Sequence, residues 1–382
     1  MIKINDFVAF SQTIYSERPI VLHRPVFTQQ EQEYVRDCIT SNFVSSIGKR
    51  VDELEERLAK FVGVKKAVAT VNGTTALHVA LHCTGVRPDT HVLTQSLSFV
   101  ATTNSISYCS AEPIFIDVDI DTLGMSPISL RNWLETNAKT TNEGAINNKT
   151  GKRIAACVPM HTFGLPCRIK EISEICREYN IPLIEDAAES LGSYVGRKHT
   201  GTFGIAGTVS FNGNKIITTG GGGAVLTNDL DFAKKIKHLT TTAKKPHSYD
   251  YVHDELGFNY RMPNINAAVG VAQIEKLNEI LYHKKVVAQK YKEYFEAINI
   301  RFLQPINGTR SNYWLNGIVL DNRKERDAFL EITNANGVLT RPIWNLLSTL
   351  PMYKDCDADN LKNSKWLADR VVNLPSSVPK LD

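Results

Sequence analysis

One lysine, a pair of carboxylates and a glycine–threonine step stand out as groups able to act on a small molecule. Lys215 follows Ser210-Phe-Asn-Gly-Asn and precedes four glycines, Gly220 to Gly223. A lysine held in a tight turn near a sheet edge loses water, which favours its neutral amine, the nucleophile that attacks a carbonyl. A solvated lysine in a glycine-rich hairpin would show the same letters. Glu185 and Asp186 follow the apolar run Ile181-Pro-Leu-Ile. In open α/β sheets ligands gather at the carboxyl ends of strands, and one carboxylate there can pair with a cationic ring nitrogen. Acids decorating a helix start would look alike. Asn72-Gly73-Thr74-Thr75 lies between an apolar run and a helical pattern. Free N–H groups and the positive dipole end at such a helix start can bind an anion, and Gly73 lets the backbone come close. An ordinary N-cap also uses Asn and Thr.

These groups need strands that end beside them. Short apolar runs at 65–70, 91–94, 112–118, 154–159, 181–185, 208–211 and 223–226 read as strands. Helical spacing marks 31–39, 51–62, 76–83, 169–179 and 264–295; in the second, Val51, Leu54, Leu58 and Phe61 recur on one face. Alternating strands and helices predict an α/β fold with a mostly parallel sheet. Residues 137–153 are polar and predict an exposed loop. Residues 240–263 lack periodicity and carry Lys244, Lys245, His247 and Arg261; a long irregular segment inside a compact chain points to function.

Composition narrows the class. At 42% hydrophobic and 22% charged over 382 residues, the chain reads as an ordinary globular protein with room for a large and a small domain. The net charge of +4 is too slight, and basic runs too scarce, to expect nucleic acid as a partner. Seven scattered cysteines without a C-x-x-C pair predict reduced thiols in a cytoplasmic protein. The first ten residues lack the apolar core of a signal peptide, and no stretch is apolar enough to span a bilayer, so no membrane association is expected. Nothing calls for a metal.

Together an anion cup, an acid and a lysine, in that order, meet the demands of pyridoxal phosphate: a phosphate site, a partner for the pyridine nitrogen and an amine for the aldehyde. The motifs Glu185-Asp186-Ala-Ala, Ser210-Phe to Lys215 and Gly257-Phe-Asn-Tyr-Arg261-Met-Pro-Asn resemble the DegT-type sugar aminotransferases, pyridoxal phosphate-dependent transferases of fold type I, over nearly the whole chain from Arg24. That resemblance implies a large cofactor-binding domain over 26–250, with a mostly parallel central sheet and helices on both faces. A segment over 1–25 would precede it, and a smaller α+β domain over 251–382 would follow, entered through a long connecting helix. It implies that Lys215 would bind the cofactor aldehyde and then move a proton, and that Asp186 would pair with the ring nitrogen. Gly73, Thr74 and Ser210 would hold the phosphate, and Phe99 would stack on the ring. Glu189 would face the ring hydroxyl, where many relatives carry Gln or His; an ionised carboxylate there would be repelled, so either a proton or a water would intervene. Asn259 would reach the phosphate in a neighbouring subunit, making the protein a homodimer with shared sites.

A narrower likeness lies in Phe43-Val-Ser-Ser-Ile-Gly-Lys49, Pro159-Met-His-Thr-Phe-Gly164, His238-Leu-Thr-Thr-Thr-Ala-Lys244 and Thr340-Arg-Pro-Ile-Trp344. These look like the legionaminic acid and bacillosamine-type branch, which implies amination at C4 of UDP-4-keto-6-deoxy-N-acetylglucosamine with L-glutamate as donor, for nonulosonic acid or surface-glycan synthesis. Lys244, Arg341 and the backbone at Ser45 and Ser46 are candidate contacts for a sugar diphosphate. His161, Tyr313 and Trp314 are candidates for the sugar pocket. Trp314 and Trp344 read rather as core and Lys244 also as a solvated charge, while His161 reads equally as a buried structural histidine. Rival readings are dTDP- or GDP-linked substrates, a dehydratase on the same scaffold, which would carry His where Lys215 stands, and a non-enzymatic cofactor-binding regulator, which would lack the lysine or add a DNA-binding module.

Overall fold

The computed structural model describes residues 4–141 and 144–379. Helices α1 (Ile4–Ile14), α2 (Gln29–Thr40) and α3 (Lys49–Val62) precede the first strand. α2 opens on a capping box in which the Thr28 N–H donates to the Glu31 carboxylate at 2.8 Å. α3 buries Val51, Leu54, Leu58 and Val62, and ends where Gly63 turns left-handed at φ +81°.

Strands and helices then alternate through β1 (Lys66–Thr70), α4 (Gly73–Cys83), β2 (Thr90–Gln95), α5 (Val100–Tyr108), β3 (Glu112–Ile116), α6 (Pro127–Asn137), β4 (Ala138–Thr141), β5 (Gly144–Asn147), β6 (Arg153–Val158), α7 (Ile169–Glu178) and β7 (Ile184–Asp186). After them come β8 (Tyr194–Val195), β9 (Lys198–His199), β10 (Ala206–Ser210), β11 (Gly223–Thr227) and α8 (Leu230–Thr240).

The central sheet runs β1-β11-β10-β7-β6-β2-β3, with β7 joined to β6 by the bridges Cys157↔Leu183 and Met160↔Asp186. Only β11 runs against its neighbours; β10, β7, β6, β2 and β3 pair in parallel. Their near-continuous apolar runs follow, because helices cover both faces and every residue of β2 is buried. On one face β1 and β11 pack with α3 and α9 (Asn264–Glu275) around Leu54, Leu58, Val209, Leu226 and Val271. Each such side chain contributes about 1.5–3 kcal/mol by leaving water.

The chain continues through α10 (Leu277–Ala297), β12 (Arg301–Phe302), β13 (Thr309–Arg310), β14 (Asn316–Val319), α11 (Arg323–Ala335), β15 (Arg341–Pro342), α12 (Lys362–Ala368) and β16 (Val371–Leu374). A second, antiparallel sheet, β12-β14-β16-β15, carries a core of its own: Phe7 and Val8 of α1 pack with Tyr291 and Phe295 of α10, Phe329 of α11, and Ile318, Val372 and Leu374. β13 pairs instead with β8, reaching back to the first sheet's side of the molecule.

Two expectations change. Residues 137–153 are not all loop: β4 and β5 form an antiparallel ladder from Ala138↔Asn147 to Thr141↔Gly144, and β5 pairs with the start of β6. At a sheet edge one polar face stays wet, so polarity alone concealed the strands; Ala145 and Asn147 are nevertheless buried. The single helix over 264–295 is divided at Lys276, which ends α9 and starts α10. Its ammonium is held by Thr28 and lies 3.1 Å from Glu31.

Candidate active site

Strand ends assemble the site. β1 runs parallel to β10 across β11, so β1, β2, β6, β7 and β10 all present their carboxyl ends at one edge of the sheet. A cavity of about 420 Å³ opens there. Gly73 and Thr74 come from the turn after β1, Phe99 from the turn after β2, and Met160 from the turn after β6. Asp186 and Glu189 follow β7, Ser210 and Lys215 follow β10, and Trp314 and Trp344 close the wall from the second part of the chain.

Asp186 is buried and firmly held. Its Oδ2 accepts the Thr102 hydroxyl at 2.7 Å, and its Oδ1 accepts the Ala188 N–H at 3.1 Å. Each oxygen retains capacity for a further bond, and Asp186 lines the cavity. Next to it, Glu185 points the other way, into the protein. It accepts from His161 Nε2 at 3.0 Å and from the N–H groups of Gly201 and Gly204 at 2.7 and 3.2 Å. Alternation along a strand thus sends one carboxylate to the ligand and its neighbour to the core.

Lys215 rises from a turn in which its N–H donates to the Asn212 carbonyl at 2.9 Å. Its side chain is 12% exposed, with Nζ 3.4 Å from Glu189 Oε1 and 4.1 Å from the centre of the Trp314 ring. Trp314 is pinned in turn, its indole N–H donating to the Asn214 carbonyl at 2.6 Å. Glu189 Oε2 accepts the Phe163 N–H at 2.8 Å. Burial pushes the Glu189 carboxyl up to about 7, against the pull of the Lys215 charge and the Phe163 N–H.

At the other end of the cavity, α4 begins. The Asn72 side chain caps the Thr75 N–H at 2.8 Å, while the N–H groups of Gly73 and Thr74 take no partner among the described residues. A Cβ on Gly73 would come 2.8 Å from Ser210 Cβ, so only glycine permits this approach of helix start and strand end.

Pyridoxal phosphate fits this arrangement. Two unpaired helix-start N–H groups and the Ser210 hydroxyl suit a phosphate, a fixed carboxylate suits a pyridinium, and the amine lines the same cavity as the acid. Phe99, 48% exposed and 6.3 Å from the Trp344 ring, offers an apolar face.

Other sequence candidates lie elsewhere. His161 is fully buried: its Nδ1 accepts the Cys167 N–H at 3.2 Å and its Nε2 faces Glu185, and it does not line the cavity. Tyr313, with a left-handed backbone (φ +50°), packs against the core around Phe329 rather than the cavity, and its neighbour Trp314 lines the cavity. Ser45 is exposed, its carbonyl accepting from the Asn264 N–H at 2.6 Å, and Ser46 beside it is partly exposed. Lys244 lies over the Tyr251 ring at 3.9 Å, and Arg341 donates to Asn334 Oδ1 at 2.8 Å. Asn259 is exposed on the segment between α8 and α9. None of these five lines the cavity within one chain. Conversely, sequence reading missed Thr102 and Asn214. Thr102 stands four residues beyond Ser98, one helical turn, which is the faint signal that it could share a site with Phe99.

A profile of the DegT/DnrJ/EryC1/StrS aminotransferase family matches residues 25–381. The chain is 38% identical over 337 residues to EpsN of Bacillus subtilis, described provisionally as a pyridoxal phosphate-dependent aminotransferase, covering 88% of this chain and 84% of that one. It is 34% identical over 365 residues to GDP-perosamine synthase of Vibrio cholerae, 94% of each chain being covered. Among solved structures, the aminotransferase TlmJ of Streptoalloteichus hindustanus superposes with a TM-score of 0.86 at 26% identity over 95% of each chain.

Proposed function

The chain belongs to the DegT/DnrJ/EryC1/StrS aminotransferase family, and from that premise we propose that it transfers an amino group from L-glutamate to C4 of a nucleotide-linked 4-keto-6-deoxy sugar. It is a pyridoxal phosphate-dependent sugar aminotransferase with the α/β fold of type I transferases. The observation that carries the further reading is that Lys215 and the clamped Asp186 carboxylate line one cavity together with the bare N–H groups at the start of α4.

Bound there, pyridoxal phosphate supplies an electron sink that lets a C–H bond beside the transferred nitrogen ionise. Asp186, held by Thr102 and Ala188, keeps a proton on the ring nitrogen and so keeps the sink open. Gly73, Thr74 and Ser210, which line the cavity, would hold the phosphate, and Phe99 would cover one ring face. Lys215 is the residue that would hold the cofactor aldehyde, and its free amine would serve as the base that moves a proton. Trp314 and Trp344 wall off water around that amine.

We read the acceptor as UDP-4-keto-6-deoxy-N-acetylglucosamine, supported by the motifs at 43–49, 159–164, 238–244 and 340–344, with a product for nonulosonic acid or surface-glycan synthesis. A GDP-linked sugar is the second reading, favoured by the Vibrio relative's name. Because Asn259, Ser45, Ser46, Lys244 and Arg341 do not line the cavity of their own chain, we assign them to a homodimer, in which Asn259 of one subunit reaches the other's phosphate site and the rest flank the sugar diphosphate. In this reading residues 26–250 form the cofactor domain and 251–382 the smaller one. The seven cysteines, all free, suit a reducing cytoplasm. Among the described residues no helix is long and apolar enough to cross a membrane.

Borohydride reduction of the loaded protein followed by peptide mass analysis tests the lysine: the cofactor mass should appear on Lys215. Lys215→Ala should hold the cofactor without a covalent bond and lose turnover by at least about 1,000-fold. Full activity in that variant would overturn the assignment. Incubation with glutamate and UDP-, dTDP- and GDP-linked 4-keto sugars, read by product mass, decides the nucleotide.

A further inference from the structure

Glu189 shares the cavity wall with Lys215, yet the scheme above gives it no task. Among the described residues, Lys215 is the only side-chain cation in contact with its carboxyl. The Phe163 N–H fixes Oε2 at 2.8 Å and leaves Oε1 turned to Lys215 Nζ, 3.4 Å away. The Trp314 ring covers Nζ from another side at 4.1 Å. Three further titratable groups bear on the pair from the elements packed around it. Asp186 repels the Glu189 charge. His23, with its ring 6.5 Å from that of Trp314, is held neutral by burial first and then by the charges of Lys284 and Lys215. Lys284 is buried, with Nζ donating to the Trp314 carbonyl at 2.7 Å, and burial favours its neutral form.

We propose that Glu189 is the proton partner of Lys215: its carboxylate takes a proton from the lysine ammonium to free a neutral amine, and its carboxyl returns that proton when the lysine next becomes a cation. One N–H bond breaks and one O–H bond forms; the electron pair stays on nitrogen, and no other atom changes. In a largely dry wall the Coulombic gain of the ion pair is offset by its desolvation, which narrows the gap to the neutral pair. A reversible carrier needs that balance. The 3.4 Å separation exceeds the usual length of a charge-assisted bond, so the pair is not locked and a small lysine torsion brings it together. Burial lifts the Glu189 carboxyl to about 7, so it can hold a proton near neutral pH.

The inference rests on Lys215 being the cofactor-bearing amine, and two measurements separate the failures. Borohydride labelling of the wild-type protein comes first; absence of cofactor mass on Lys215 overturns both readings. With labelling established, visible absorbance of the loaded protein is titrated with pH in the wild type and in Glu189→Gln, which keeps the shape and can still accept from Phe163. The cofactor should remain on Lys215 in the variant, and the spectral midpoint should fall by about one pH unit or more, because the anion no longer favours the protonated nitrogen. A midpoint within about 0.3 unit of wild type sinks the proposal while leaving the aminotransferase intact. Should the glutamine variant not fold, Glu189→Asp withdraws the carboxylate by one methylene, and the same downward shift or its absence decides.

Discussion

A carboxyl without water around it resists ionising, and the consequence at Glu189 can be measured on the cofactor-free chain. Its folded value of about 7 stands above the ordinary 4.5. Between these values the unfolded chain has released a proton that the folded one retains, so stability falls as pH rises through that window. The contribution is fully present below about 4.5, is lost above about 7, and amounts to about 3 kcal/mol. Glu189→Gln should therefore show a flatter stability profile over that interval in urea titrations at stepped pH; an unchanged slope would mean that Glu189 is ionised throughout. Thr102 acts at the same scale. Its hydroxyl orients the Asp186 carboxylate without facing the cavity itself. Thr102→Val keeps the shape and removes the donor, and should weaken cofactor binding roughly tenfold, about 1.4 kcal/mol, measured by fluorescence titration.

Among the elements, α4 matters through its start. Helices leave their first N–H groups unpaired, and here the Asn72 cap satisfies Thr75 and leaves Gly73 and Thr74 bare toward the cavity. The close approach of that start to β10 depends on Gly73: an alanine Cβ would meet Ser210 Cβ at 2.8 Å. Gly73→Ala should raise the cofactor dissociation constant by at least about tenfold. Its melting temperature should stay within a few degrees of wild type, since alanine favours the helix as much as the contact opposes it. A large fall in melting temperature with unchanged affinity would show that the glycine serves packing alone.

For the whole molecule, the decisive fact is that parallel strands bring their carboxyl ends together, so residues as far apart in sequence as Gly73 and Lys215 face one cavity. The proposed dimer extends this logic, since Asn259 lies outside its own chain's site. Complementation tests it. Lys215→Ala and Asn259→Ala should each be nearly inactive, but refolding them together in equal amounts should restore roughly a quarter of wild-type activity. Half the dimers then pair unlike chains, and each of those has one intact site. No recovery would place Asn259 in its own subunit's site or outside any.

Local chemistry was written in the order of residues. Lys215 among small turn residues, Asp186 at the end of an apolar strand and Gly73 at a helix start were legible because strand, turn and cap each follow from nearest neighbours. So was the alternation that makes the sheet mostly parallel. The ladder over 138–147 was not, since its polar letters match those of a loop until β6 is present to pair with β5. Nor could letters show that His161 serves Glu185 while Trp314 rather than Tyr313 covers the lysine. Those outcomes depend on which groups meet across 24 residues of chain in the first case and about a hundred in the second, and on how much water they exclude when they do. Residue identity and spacing determine what a side chain can do; burial and partners, which exist only after folding, decide which of those things it does.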